Sequence, residues 1–218
     1  MRKLALGAAL LALAGCNSTG QSDWSNYYRL MRDSFHASLG DGGVTREQAA
    51  AVPYASIGVR SNGNPELLLV LATDNDGDLL WTSASRIVLL TRQGRVVRTV
   101  GLGHDLSGQT PGSAGLPPPA AALRGPFSST RVADFSDIGM FGVSLSCNAR
   151  AAGPEIIRIL GQAISTVRVD EACRNTNQRW SFVDNFWVDP QNGFVWRARQ
   201  HLHPRGGVVE TEILRPPG

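Results

Sequence analysis

The chain has 218 residues, 42% of them apolar and 18% charged, with a formal net charge of +3. Its basic residues are one lysine, Lys3, and twenty arginines. Setting aside Arg2 and Lys3, which stand in an apparent leader, leaves a net charge of +1. Phosphate-driven binding needs a concentrated basic excess, so a polybasic nucleic-acid binder is not expected. The composition is that of a globular domain, and 24 glycines with 12 prolines point to many turns between short strands.

Residues 1–15 have the layout of a signal peptide: a basic start, then an apolar run from Leu4 to Ala14 that is too short for a permanent span. The run ends Leu13-Ala14-Gly15-Cys16, an aliphatic and two small residues before a cysteine, as in bacterial lipoproteins. Cys16 is thus the expected lipid attachment site and the N-terminus of a 203-residue mature chain, with residues 16–22 as a polar tether. Three acyl chains there would anchor the protein stably, since two lipid chains already suffice. Asn17, rather than aspartate, after the cysteine favours the outer membrane.

Residues 23–218 are expected to form one mainly β periplasmic domain. Trp24, Tyr27, Tyr28, Met31 and Phe35 fall on one face of a helix over 23–39. Thr45-Arg46-Glu47-Gln48 is a capping box for a short helix that Pro53 must end. Strands follow: Tyr54 to Ser61 before Asn62-Gly63, Leu67 to Ala72 with apolar residues on both faces, Leu79 to Ala84, Ile87 to Thr91 and Arg95 to Val100. Asp76-Gly77 and Gln93-Gly94 are the turns, giving an antiparallel meander, sandwich or barrel-like domain. Residues 108–126, with Pro117-Pro118-Pro119, are read as a loop without regular structure, or as a seam between two β halves.

With Cys16 lipidated, Cys147 and Cys173 are an even pair in an oxidising compartment. The β-branched segments 156–160 and 163–169 flank a tight turn at Gly161-Gln162, and the midpoint of the two cysteines falls almost on it. A Cys147–Cys173 bridge is expected, contributing roughly 3–4 kcal/mol by chain entropy. Further strands are expected at 179–188, 194–203 and 208–214, around the turn Pro190-Gln191-Asn192-Gly193.

No catalytic constellation stands out. Asp74 to Asp78 fails as a calcium loop because Leu79 stands where glycine is needed and Ser85 where glutamate is. His201-x-His203 would share a strand face with Arg197 and Arg199, which repel a cation, and no carboxylate nearby in sequence completes a metal site. His104-Asp105 is an isolated pair, and Glu171 has no second carboxylate to work with beyond an arginine partner. No cofactor is expected. The aromatic hairpin with Trp187, Arg197, Arg199 and His201 is the candidate surface for an anionic polysaccharide or a partner.

Several stretches together resemble the group 4 capsule lipoprotein family, the YjbF/GfcB type. They are Ala51-Val52-Pro53-Tyr54-Ala55-Ser56-Ile57, Gly94 to Leu102, Asn185-Phe186-Trp187-Val188-Asp189, Gly193 to Gln200, and His203-Pro204. Phe186 replaces a usual tyrosine, Ala198 a usual serine, and the proline-rich loop is longer. The resemblance covers nearly the whole chain. It implies an antiparallel β lipoprotein without assigned catalysis, working at the outer membrane with a β-barrel and a polysaccharide-export lipoprotein. A polysaccharide-binding or polysaccharide-modifying protein is the alternative.

Overall fold

A computed structural model describes residues 43–218 except Asn62, Thr176 and Gln178. Cys16 and the amphipathic stretch 23–39 therefore lie outside the described residues. The first element, helix α1 (Arg46–Ala51), opens as the sequence predicts: Thr45 Oγ1 accepts from Gln48 N–H while the Gln48 side chain accepts from Thr45 N–H.

Twelve strands follow: β1 (Ser56–Ser61), β2 (Leu67–Asn75), β3 (Asp78–Thr82), β4 (Val88–Arg92), β5 (Arg95–Val100), β6 (Gly108–Pro111), β7 (Phe127–Phe135), β8 (Met140–Ile159), β9 (Gln162–Asn175), β10 (Trp180–Val188), β11 (Val195–His201) and β12 (Val208–Arg215). They form one antiparallel, nearly closed, barrel-like sheet in the order β5-β4-β3-β2-β1-β12-β11-β10-β9-β8-β7-β6. Among the described residues the first and last strands pair in the middle of the sheet, and the sheet's two ends, β5 and β6, are neighbours in sequence.

The turns obey the local chemistry. Asp76 and Gly77 have φ of 52° and 84°, and Gln93 and Gly94 have 51° and 81°, the left-handed pair that matches strand twist in a two-residue hairpin. Gly77 N–H donates to Asp74 Oδ1, so the acidic loop is a hairpin turn. Gly58 serves a different need: a Cβ there would stand 2.3 Å from Oε1 of Glu66, a buried carboxylate that accepts from Val44 N–H.

Alternation sorts side chains between a filled interior and an outer face. Ile57, Leu69, Trp81, Leu89, Phe135, Leu145 and Phe182 pack in the main interior cluster. A smaller one gathers Ala149, Val169, Phe186, Val188 and Ala198 under Ala122. On β2, Leu69 faces this interior while Leu68 and Val70 are covered from outside by Val44 and Val52. The run is thus buried on both faces, as its unbroken apolarity implies.

Three expectations need correction. Residues 108–126 are not without regular structure, for they hold β6 and a 3-10 helix over Pro119–Arg124. That helix has prolines at its start, where a missing N–H costs nothing, and it seats Ala122 in the core. The cysteine hairpin is much longer than its β-branched part, since β8 begins at Met140 and β9 runs to Asn175. Its turn is Leu160-Gly161, one residue earlier than expected, with Leu160 at φ 48°.

Candidate functional site

The disulfide depends on a register change. From the turn outward, Ile159 faces Gln162 and Pro154 faces Val167, a register that would set Cys147 opposite Arg174. A bulge between Ala151 and Gly153 inserts one residue, so Cys147 faces Cys173 directly, with Cα atoms 4.1 Å apart and the sulfurs bonded. Both cysteines point inward, as does Glu171 two residues before Cys173.

Glu171 is wholly buried and anchors a chain of charges that the sequence did not reveal. Arg95 on β5 grips it with two guanidinium nitrogens, the second at 2.9 Å from Oε1. Arg131 on β7 donates to Glu171 Oε2 at 3.3 Å and to Asp184 Oδ2 on β10 at 2.9 Å. Asp184 in turn accepts from the backbone N–H of His201 at 2.8 Å and lies 3.2 Å from His201 Nδ1. Both arginines are 2% exposed and stack over aromatic rings, Arg95 on Phe186 and Arg131 on Phe182. The charges thus compensate one another inside the barrel, the condition under which burial of ions is tolerated. Glu171 does pair with an arginine, and with two of them.

Close by, Gln200 reaches across to the edge of β5, accepting from Val96 N–H at 3.1 Å and approaching Gly94 O at 3.5 Å. Arg95 also donates to Pro117 O. An unpaired strand edge invites foreign strands; here an interior amide and the proline-rich segment occupy it.

The four residues of the candidate surface take separate positions. Trp187 and Arg197 are directly paired across β10 and β11, with the guanidinium 5.6 Å from the indole centroid. Trp187 is only 7% exposed, because the β8–β9 hairpin bends over it and packs Ile157, Ile159 and Leu160 there. Arg197 donates to Arg158 O and pairs with Glu212 at 2.5 Å. Burial pushes the Glu212 carboxyl above its usual range, with Arg197 opposing that shift. Arg199 pairs with Glu210 at 3.4 Å while its side chain remains half exposed. Glu210 also holds Arg60 at 3.1 Å. His201 leaves this row for Asp184.

His203 leaves it too. At the end of the barrel where the β5–β6 and β11–β12 loops meet, Asp137 stands between two histidines, 3.1 Å from His104 Nδ1 and 3.1 Å from His203 Nε2. The two rings stack with centroids 4.8 Å apart. A carboxylate does therefore join His203, but from 66 positions away, where sequence spacing could not show it. Two imidazoles and a carboxylate are a metal-type donor set. The hydrogen bonds argue otherwise: His203 Nδ1 accepts from Arg205 N–H at 3.0 Å, which puts the proton of the neutral ring on Nε2, facing Asp137. That nitrogen has no lone pair for a cation. Burial lowers the His203 pKa, partly offset by Asp137, while hydrogen bonds from His104 and then His203 lower that of Asp137. His104 and Asp105 do not act as a pair, because Asp105 braces the loop by accepting from Thr99 Oγ1, Gly101 N–H and Leu102 N–H.

At the opposite end the barrel opens into a cleft of about 700 Å³ between the β2–β3, β4–β5 and β10–β11 turns. Leu79, Trp81, Phe194, Trp196 and Ile213 line it, and Pro118 and Pro216 form part of its walls.

Comparison with known proteins agrees with this architecture. A chain from a crystal structure of the hypothetical lipoprotein YmcC of Escherichia coli K12 matches with a TM-score of 0.68 and 28% identity, over 85% of this chain and 96% of that one. Lipoprotein GfcB of Escherichia coli K12 is 31% identical, covering 99% of both chains, and lipoprotein YjbF of the same strain is 27% identical over 99% of this chain and 98% of its own. Residues 19–214 match the family model described as group 4 capsule polysaccharide lipoprotein GfcB, YjbF. The chain belongs to the group 4 capsule polysaccharide lipoprotein family.

Proposed function

We propose that the protein is a non-enzymatic accessory in capsule or exopolysaccharide secretion or assembly, held at the periplasmic side of the outer membrane by lipid on Cys16. Residues 1–15 are then the removed leader, 16–22 the tether and 23–218 the periplasmic domain. The observation that carries this reading is the family match over residues 19–214 in a chain that reads Leu13-Ala14-Gly15-Cys16. The interior is consistent with it, since Glu171 and Asp184 are each engaged by arginine and enclosed. A general acid or base needs a reachable group facing substrate.

In this reading an outer-membrane β-barrel and a polysaccharide-export lipoprotein are the partners. Deletion of the gene should lower surface polysaccharide, and the wild-type chain should restore it where Cys16→Ala does not. Unchanged polysaccharide in the deletion strain would contradict the proposal.

Direct glycan contact is a second reading, favoured by Arg199, whose half-exposed guanidinium is the most open of the four candidate residues. Calorimetry with an acidic polysaccharide on wild type and on Arg197→Ala/Arg199→Ala tests it. Heat from the wild type alone supports the contact, and no heat from either ends it.

A further inference from the structure

We infer that the cleft at the open end of the barrel is a binding site for a single hydrocarbon chain, of the kind carried by a fatty acid or lipid. The inference goes beyond the proposed secretion role and stands without it.

Its first support is shape. At about 700 Å³ the cleft lies within the roughly 300–1,000 Å³ of pockets that enclose a small ligand, and barrel mouths are a recurrent place for them. Residues of the interior form part of its wall. Trp81, Leu79 and Ile213 face into it from β3 and β12, whereas the interior beyond is packed by Leu89, Phe135 and Leu145. The proline wall and the β4–β5 turn are tied to the barrel. Pro118 lies one residue from Pro117, whose carbonyl is held by Arg95, and Gly94 packs so closely on Val195 that a Cβ would sit 2.5 Å from it.

The second support is chemistry. No charged side chain lines the cleft among the described residues, in a protein where 18% of residues are charged. Of its polar groups, Thr91 Oγ1 accepts from Trp81 Nε1 at 2.8 Å and Asn192 Oδ1 accepts from Phe194 N–H at 2.8 Å, while the buried Trp196 Nε1 is a single donor without a partner among the described residues. A sugar ring needs several free donors and acceptors, and an acidic sugar needs a cation. A methylene chain needs neither and gains from every apolar contact.

Two sources supply such a chain. One is an acyl group on Cys16, which rests on the lipidation proposed above. The 27 residues from Cys16 to Gly43 can reach up to about 90 Å. The other is a free lipid.

The test is titration with 11,12-dibromostearate, which quenches nearby indoles, of the full-length protein held in an amphipathic polymer. It is run on the membrane-extracted wild type and on Cys16→Ala. Saturable quenching of a fraction of the tryptophan emission in both proteins supports the site with free lipid as its source. Quenching in Cys16→Ala alone supports the site with the protein's own acyl chain as its occupant. Leu79→Arg, and separately the milder Thr211→Lys, should weaken the quenching at least tenfold while the circular dichroism of at least one variant stays native. Absence of saturable quenching in both Cys16 forms overturns the inference. So does quenching that both charged variants retain, or a tryptophan response to a neutral oligosaccharide without one to the lipid.

Discussion

The molecule uses the arginine–carboxylate pair in two settings that differ only in water. Inside the barrel, Arg95, Glu171, Arg131 and Asp184 are at most 3% exposed and bound to one another. On the outer face, Arg60, Glu210, Arg199, Arg197 and Glu212 form a ladder whose arginines range from 19% to 49% exposed. Away from that ladder, Arg92 and Asp78 face each other at 2.5 Å, and the Asp78 carboxyl is lowered chiefly by its hydrogen bond to Arg92. The contacts look alike, yet the consequences of losing one do not. Removal of an outer partner exposes the other to solvent that is already present. Removal of an inner partner leaves an ion in a medium that cannot solvate it.

The contrast is broken most directly at Glu171. Glu171→Ala strands the buried guanidinium of Arg95 and leaves Arg131 with Asp184 alone, and the expected loss is about 3–5 kcal/mol in chemical denaturation. Adding Arg95→Met, with Arg131 kept as the partner of Asp184, should recover a large part of that loss. If Glu171→Ala costs no more than an outer substitution, the distinction between the two settings fails.

Two residues along the same inner face, the disulfide offers a covalent comparison. Cys147→Ser/Cys173→Ser should lower stability by about 2–4 kcal/mol, and reductant should do the same to the wild type but nothing further to the double variant.

A smaller effect is expected at the His104–Asp137–His203 cluster. Burial holds the folded His203 ring neutral by lowering its pKa below the ordinary 6.5. Its stabilising contribution is therefore complete above that value and declines as pH falls from it towards the folded-state pKa. The lowered Asp137 acts with the same sign further down, its contribution fading below 3.8. Thermal melts between pH 8 and pH 5 should fall more steeply for wild type than for His203→Asn, and parallel curves would remove His203 as the cause.

The smallest effect belongs to the ladder. Arg199→Ala should cost less than about 1 kcal/mol and lose even that at high salt. A larger cost that salt does not reduce would mean that the outer ladder shares the character of the inner one.

How much of this is legible without coordinates follows from how local each feature is. The two-residue turns at Asp76-Gly77 and Gln93-Gly94, the capping box at Thr45 and the double-faced strand at Leu67 are encoded within a few neighbours, and each appears where the sequence puts it. The β7 strand and the first half of β8 escape because most of their inward positions, apart from Phe135, Val143 and Leu145, are small or polar. Ser129, Arg131, Ala133, Cys147 and Ala149 alternate correctly with outward residues but carry little apolar signal. The ion chain is illegible for another reason. Arg95, Arg131, Glu171 and Asp184 stand on four strands, and nothing local distinguishes Arg95 from the exposed Arg92 three positions before it. The aromatic hairpin sits between these cases. Its strands and turn are local, whereas the burial of Trp187 depends on a distant arm folding over it.

The pairing of β1 with β12 has a consequence for how the protein is made. Residues 56–61 wait for residues 209–215, so nearly the whole chain must be present before the middle of the sheet can assemble. A polypeptide threaded through a pore from its N-terminus offers β1 only one of its two neighbours until the last few residues emerge. The order of strands thus lets the local hairpins on either side pair early, and delays closure of the middle of the sheet until β12 is present.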